Sequence, residues 1–367
     1  MNPVYYFFCV HNKACTPNNN SKINGKLMRI KYLSIFVIVF SVFSQTVAAI
    51  EESALVKSMI PGPFILPSPE GTWTWGMAPI YDDEGKVHIF NSIIPKKGIW
   101  SKHSKIVHWI ADKPEGPYTL LGDVFKSDSA AYHNPQISKV GDTFVLVYLL
   151  NKYKDENGSK QEVGIATAKS LMGPWTESPH NPIIKATVHN GQHASNPTLV
   201  VTPDGQLRIY HKTMTTFEGE VYREISLATS NKIEGPYIVS EQSPMISYAN
   251  QKVDIEDPYA FYYQDMYYMI LEDRQDVNSL LSGKYPGKVK KGGFRPGLLY
   301  QSKDGFDWGI PKIAYQTNHI YYGHKLARSE RPSILWKDGK PDYLFLACHD
   351  DDSTAGYILK INGWRGE

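Results

Sequence analysis

Carboxylates and imidazoles next to prolines are the groups in this chain whose chemistry can be named first. Glu256 and Asp257 stand directly before Pro258 in "DIEDPYAFYYQDMYYMILED". Glu330 and Arg331 precede Pro332 in the same way, and His133 and Asn134 precede Pro135. Asn196 precedes Pro197 in "HNGQHASNP", with His193 just upstream. His324 lies in "YYGHKLARSERP", shortly before Glu330. Asp, Glu and His are the usual carriers of protons in catalysis. The set reads as acid–base machinery, with amide and guanidinium groups to bind a polar ligand. A bland reading stands beside it. Asp257 or Glu256 paired with Arg331 would hold neighbouring elements together, and His324 would be a satisfied structural histidine. Trp73 and Trp75 in "GTWTWGM" offer faces on which C–H bonds stack, or a pair packed in a core. Asp82-Asp83 fits an ordinary turn.

These residues are not scattered. Five stretches share one pattern: X-Pro, a short apolar run, a polar turn, a second apolar run. They are "GMAPIYDDEGKVHIF", "YHNPQISKVGDTFVLVY", "ASNPTLVVTPDGQLRIY", "IEDPYAFYYQDMYYMIL" and "SERPSILWKDGKPDYLFLA". Their prolines, Pro79, Pro135, Pro197, Pro258 and Pro332, are 56, 62, 61 and 74 residues apart. A second marker runs in phase, "ADKPEGPYTL", "AKSLMGPWTE", "TSNKIEGPYIV" and "SKDGFDWGI", with glycines spaced 57, 62 and 70. Hairpin, third strand, Gly-Pro-aromatic turn and fourth strand make one unit of about sixty residues. Five such units predict an all-β fold, a five-bladed β-propeller. A β-sandwich with coincidental prolines would not keep two markers in phase. "AGYILKING" supplies the last blade's third strand, and its fourth comes from the N-terminal side, near Phe64-Ile65-Leu66.

In a propeller the inner strand of each blade starts at the axis, so the X-Pro sites converge on one pocket. The residues before each proline are Ala78, Asn134, Asn196, Asp257 and Arg331; one earlier stand Met77, His133, Ser195, Glu256 and Glu330. Strand alternation sends neighbours to opposite faces. Glu256 and Asp257 are therefore expected to diverge, with Asp257 in the pocket.

The repeats, the Asp-Pro site opening an inner strand and the Gly-Pro-aromatic turns resemble the five-bladed glycoside hydrolases, families 43 and 117 above all. The resemblance covers the chain from about Trp73 to its end. It implies an exo-acting glycosidase that releases a terminal sugar from an algal, galactan-type, or plant oligosaccharide. Family 117 enzymes remove 3,6-anhydro-galactose from agar-derived oligosaccharides. In these families an Asp of the first blade is the general base; "GMAPI" has Met77 and Ala78 and no acid. Family 117 also pairs a later Asp with a His acting as acid, and Asp257 and His324 match that pair by order and spacing. The catalytic candidates are thus Asp257, His324, Glu256 and Glu330. The substrate-binding candidates are Trp75, His133, Asn134, His193, Asn196 and Arg331. Two other functions fit the same residues: a carbohydrate-binding propeller without turnover, and a polysaccharide lyase using His, Tyr and Arg. No cofactor is expected; a divalent cation in the tunnel would have no metal-spacing motif behind it.

Composition bounds the partners. Residues 1–49 carry five basic and no acidic residues, so the remainder has 34 basic against 37 acidic, a formal charge of −3. That balance offers no basic face for nucleic acid. Cys348 is the one cysteine beyond Cys9 and Cys15, which excludes a disulfide framework there. Met28-Arg29-Ile30-Lys31, the 12-residue apolar run Tyr32 to Phe43 and Val47-Ala48-Ala49 have the layout of a secretory signal. The expected division is an N-terminal extension over 1–27, a signal peptide over 28–49 and one propeller domain over 50–367. The expected location is secreted or periplasmic, with no membrane attachment after signal removal. N-terminal sequencing of exported protein should read from near Ile50; material that retains Tyr32 to Phe43 would contradict the signal.

Overall fold

The computed structural model describes residues 50–126, 130–152, 160–191, 193–275, 277–281, 296–323, 328–349 and 354–367. The expected extension and signal peptide, and His324, lie outside them. Five four-stranded antiparallel sheets follow one another around an axis. The N-terminal strand β1 (Met59–Ile65) is set aside for the last of them. Blade 1 comprises β2 (Thr72–Tyr81), β3 (Val87–Pro95), β4 (Lys105–Ala111) and β5 (Thr119–Asp123). Blade 2 comprises β6 (Ala131–Val140), β7 (Thr143–Asn151), β8 (Glu162–Ala168) and β9 (Thr176–Glu177). Blade 3 comprises β10 (Ser195–Val201), β11 (Leu207–Phe217), β12 (Glu220–Ser230) and β13 (Ile238–Val239). Blade 4 comprises β14 (Ile255–Tyr263), β15 (Met266–Asp273), β16 (Gly297–Ser302) and β17 (Lys312–Tyr315). Blade 5 takes β18 (Arg328–Lys337), β19 (Lys340–His349) and β20 (Thr354–Ile361) from the C-terminal end and β1 as its outer strand.

The first strands β2, β6, β10, β14 and β18 pack on one another in sequence, and β18 packs back on β2. Alternation along each strand then buries two faces per blade, one against each neighbour. Five apolar clusters result, one per blade interface. Phe90 and Ile106 meet Tyr132 and Leu146 between blades 1 and 2. Tyr259 and Phe261 meet Ile334 and Leu344 between blades 4 and 5. The Gly-Pro markers close the outer edge, and Gly116-Pro117, Gly173-Pro174 and Gly235-Pro236 are cis. The fourth blade lacks a turn glycine; Gln264 and Asp265 take φ of 50° and 60° instead, as a two-residue hairpin turn demands.

Closure depends on the chain's two ends. Strand β1 pairs antiparallel with β20, Met59 opposite Ile361 and Ile65 opposite Gly356. The short helix α1 (Ala54–Lys57) lies just before it. The Glu367 carboxylate accepts from the Ala54 and Leu55 N–H groups at 3.0 Å each, and from Lys312 Nζ at 3.0 Å. One carboxylate thus satisfies two helix-start donors that have no intrahelical partner and ties them to blade 4. Glu367→Ala should cost about 1–2 kcal/mol, read as a lower urea midpoint at unchanged m-value. An unchanged midpoint would remove the clasp from the account of closure.

Candidate active site

The inner strands share one backbone event. Gly76, Asn134, Asn196, Asp257 and Arg331 have φ of 58°, 50°, 50°, 59° and 56°. Each lies in a register shift, between Trp75 and Met77 in blade 1 and, for example, between Glu256 and Tyr259 in blade 4. Asn and Asp enter this left-handed region more readily than other non-glycine residues, so the residue types at blades 2, 3 and 4 follow from the backbone. The five form a ring. Asn134 Nδ2 donates to Asn196 Oδ1 at 2.9 Å, and Asn196 Nδ2 to Asp257 Oδ1 at 2.6 Å. Asp257 also accepts from the Arg331 backbone N–H at 3.2 Å and from Nη1 at 3.3 Å. Arg331 Nη2 reaches back to the Asn134 carbonyl at 3.4 Å. Gly76 completes the circle: a Cβ there would stand 3.0 Å from Asn134 Oδ1 and 3.6 Å from Arg331 Nε.

The ring corrects the first-blade alignment. Matching blades by proline pairs Met77 and Ala78 with the fingers, but the backbone matches them by the left-handed residue. That residue in blade 1 is Gly76, and the finger before it is Trp75. Met77 and Ala78 are buried in the interblade cores instead. The ring also corrects the expected divergence of Glu256 and Asp257. The left-handed residue breaks strand alternation, and both side chains line the same pocket. Asn196 Nδ2 touches both, Asp257 at 2.6 Å and Glu256 at 3.4 Å. The structural ion pair between Asp257 and Arg331 is present at 3.3 Å.

Above the ring opens a cavity of about 440 Å³, within the usual size of small-ligand sites. Trp73, Trp75, Trp100 and His349 give it an aromatic wall, while His133, Asn134, Asn196, Glu256, Asp257 and Glu330 supply polar groups. Of the remaining candidates, Arg331 lies in the ring beneath. His193 lies outside the lining, in the loop before β10, its Nδ1 donating to the Gly191 carbonyl at 2.8 Å. His133 is buried against Ser104 Oγ, 2.7 Å from Nδ1, and against the Trp100 ring. Burial, helped by Arg331 and Lys212, holds its pKa down to about 3. It is a neutral hydrogen-bonding group at pH 7.

Two electrostatic environments meet here. Glu256 is caged by Lys212 Nζ at 2.6 Å, Arg274 Nη1 at 2.7 Å and Arg223 Nε at 3.1 Å. Burial would raise its pKa, but these three cations overcome it and hold the carboxyl far below the usual range. Glu272 faces the opposite situation. Burial, then the neighbouring Glu330 charge, push its pKa well up. Asp257 is also raised, by burial against the opposing pull of Arg331. One oxygen each from Asp257, Glu272 and Glu330 lies within 4.8 Å of the others. Like charges this close and buried resist full ionisation unless a proton or positive charge joins them. Hard oxygen ligands of this kind suit calcium or magnesium. Arg331 beside Asp257, and Arg274 Nη1 at 3.7 Å from Glu272, already supply positive charge.

Lys212, Arg223, Arg274 and Glu272 escape a search confined to the X-Pro fingers. Register explains two of them: Lys212 is opposite Ser195 and Glu272 opposite Glu256 across the hairpins. Counting back from each turn, with one extra place for the bulge, would have found both.

No protein-family model matches the chain, and no curated protein does. Solved structures are similar throughout the propeller. Zg3597, a family 117 glycoside hydrolase from the marine bacterium Zobellia galactanivorans, aligns at 14% identity with a TM-score of 0.60, over 83% of this chain and 91% of that one. A thermostable family-43 glycoside hydrolase aligns at 12% identity and TM-score 0.58, over 83% and 97%. The Bombyx mori family 32 β-fructofuranosidase BmSUC1 aligns at 15% and 0.60, over 81% of this chain and 61% of its own length. At these identities the likeness establishes the five-bladed fold.

Linkage follows from the Glu256 cage. Its folded pKa lies below its unfolded value, so its contribution is present above the unfolded pKa and is lost as pH falls through the folded one. Thermal unfolding should therefore lose stability from about pH 4 downward, and Glu256→Gln should flatten that loss. An acid limb identical in wild type and variant would contradict the caged carboxylate.

Proposed function

We propose that the axial pocket hydrolyses a terminal glycosidic bond, making the protein an exo-acting glycoside hydrolase. One observation carries the reading. A single aromatic-walled pocket holds a carboxylate kept ionised, Glu256, and a second carboxyl, Glu330, beside Glu272, whose own pKa is pushed well up. Glycoside hydrolysis needs that combination, one acid for the leaving oxygen and one carboxylate near the anomeric carbon. Environments that push carboxyl pKa values apart mark the acid and the base. In this reading Glu330, the pocket-facing member of the pair, passes the proton favoured on Glu272 to the leaving group. Glu256 receives the proton of the attacking water. Its low basicity is the cost of staying ionised while Glu272 keeps its proton.

Asp257, accepting from Asn196 and twice from Arg331, anchors the floor on which the sugar sits. Trp73, Trp75 and Trp100 stack on the sugar's C–H faces, and Asn134, Asn196 and His133 bind its hydroxyls. A pocket of about 440 Å³ suits a chain terminus better than the middle of a polymer. The fold shared with Zg3597 and the family-43 enzyme supports the reaction class. The substrate class we propose is a galactan-type or plant oligosaccharide, reached by an exported protein, as the basic and apolar start of the chain suggests.

Glu330→Gln and Glu256→Gln should each lower kcat by about 10²–10⁴-fold, with near-normal far-UV circular dichroism. The assay is release of terminal sugar from agar- and arabinan-derived oligosaccharides. Activity should fall as pH rises through the carboxyl pair's pKa. Glu272→Gln removes the neighbouring negative charge and should move that alkaline limb to lower pH. Normal turnover in Glu330→Gln with loss in His324→Ala would transfer the donor role to His324. Sugar binding without product from any substrate would leave a carbohydrate-binding propeller, and unsaturated products absorbing in the ultraviolet would indicate a lyase.

A further inference from the structure

Blade 3 carries a second cavity on the other face of its hairpin. Along β11 the side chains alternate. Lys212 and Met214 line the axial pocket, whereas His211 and Thr213 line a separate cavity of about 520 Å³. Cross-strand register adds Ser226 opposite His211 and Glu224 opposite Thr213. Four polar side chains thus make one wall of a space between blades 2 and 3, an interface otherwise filled by residues such as Val163, Ile165 and Leu199. The facing wall is the segment 182–190, which leads from blade 2 into blade 3.

His211 is 0% exposed. Its Nδ1 lies 3.4 Å from the Ile209 carbonyl, and its Nε2 has no hydrogen-bond partner among the described residues. A ring that donates from Nδ1 presents a bare lone pair at Nε2. Burial holds its pKa down to about 4, so the ring keeps that neutral form at pH 7. A buried acceptor left without a donor is costly, and this one belongs to a side chain that lines a cavity. The neighbouring groups also accept. Glu224 takes one hydrogen bond, from Ser247 Oγ at 2.7 Å, and the Thr213 and Ser226 hydroxyls are 2.9 Å apart. Ile184 and Val239 contribute apolar surface to the same space. The complementary ligand carries several O–H donors and C–H faces together. Saccharides combine the two.

We propose that this cavity is a second saccharide-binding site, in which His211 Nε2 accepts from a sugar hydroxyl. The site needs no chemistry at the axis, so it stands whether or not the axial pocket turns over.

Imidazole-labelled full-length protein tests it by nitrogen NMR. The probes are D-galactose, L-arabinose, D-xylose and disaccharides of each. At least one should shift the His211 Nε2 resonance in a saturable manner. Val239 is 46% exposed, so Val239→Trp should narrow the mouth without disturbing the core and abolish the shift. A crystal soaked in the responding sugar should show it against His211. No shift with any probe, a shift that survives Val239→Trp, or an ordered water alone in the soaked cavity would each overturn the proposal. Loss of turnover in Glu330→Gln should leave the His211 response in place, which separates this site from the axial one.

Discussion

Five backbones turning left-handed around one axis are the constraint on which the rest of this structure depends. Each inner strand carries a register shift at the axis, and a residue of positive φ makes it there, a polar side chain in four blades and glycine in the first. Asn134, Asn196, Asp257 and Arg331 then bond to one another in a circle, and Gly76 leaves room for two of them. Arg331 pays the steric penalty of a bulky residue in this region, of the order of 1–3 kcal/mol. Its double contact with Asp257 offsets that cost. The ring sets where every finger residue stands, and so sets the shape of the pocket.

Within that frame, one hairpin produces two opposite electrostatic settings. Glu256 and Glu272 are cross-strand partners in β14 and β15. Glu256 leans toward blade 3, where Lys212 and Arg223 wait, with Arg274 from its own blade. Glu272 leans toward blade 5 and meets another carboxyl, Glu330. The two groups have the same chemistry and opposite pKa shifts, because each faces a different neighbour across the ring. No single strand could create that difference.

Blade 1 departs from the other four. Where they place His133, Ser195, Glu256 and Glu330 before the left-handed residue, it places Trp75. An indole at this position exchanges a charged or polar finger for a flat apolar face, in a lining that also holds Trp73 and Trp100. A fold shared with glycoside hydrolases at 12–15% identity is compatible with such a change, because the ring and the interblade cores carry the architecture. The pocket residues are then free to vary.

The blade count, the hairpins, the outer strand borrowed from the N-terminal side and the convergence of Asn134, Asn196, Asp257 and Arg331 were all legible in the chain. Proline, turn glycines and apolar alternation act locally, within a few residues, and their period survives in the sequence as a repeat. Which residue stood at the axis in blade 1 was not legible. Proline marks an X-Pro bond, whereas Gly76 takes its place through a φ value that leaves no proline beside it. The shared exposure of Glu256 and Asp257 was hidden for the same reason, since strand alternation assumes an unbroken strand. The cationic cage and the carboxyl pair were decided by tertiary structure alone. Lys212 is 44 residues from Glu256, and Glu330 is far along the chain from Glu272. Electrostatic coupling depends on distance through space, and only the closing of five blades on one axis brought those charges together.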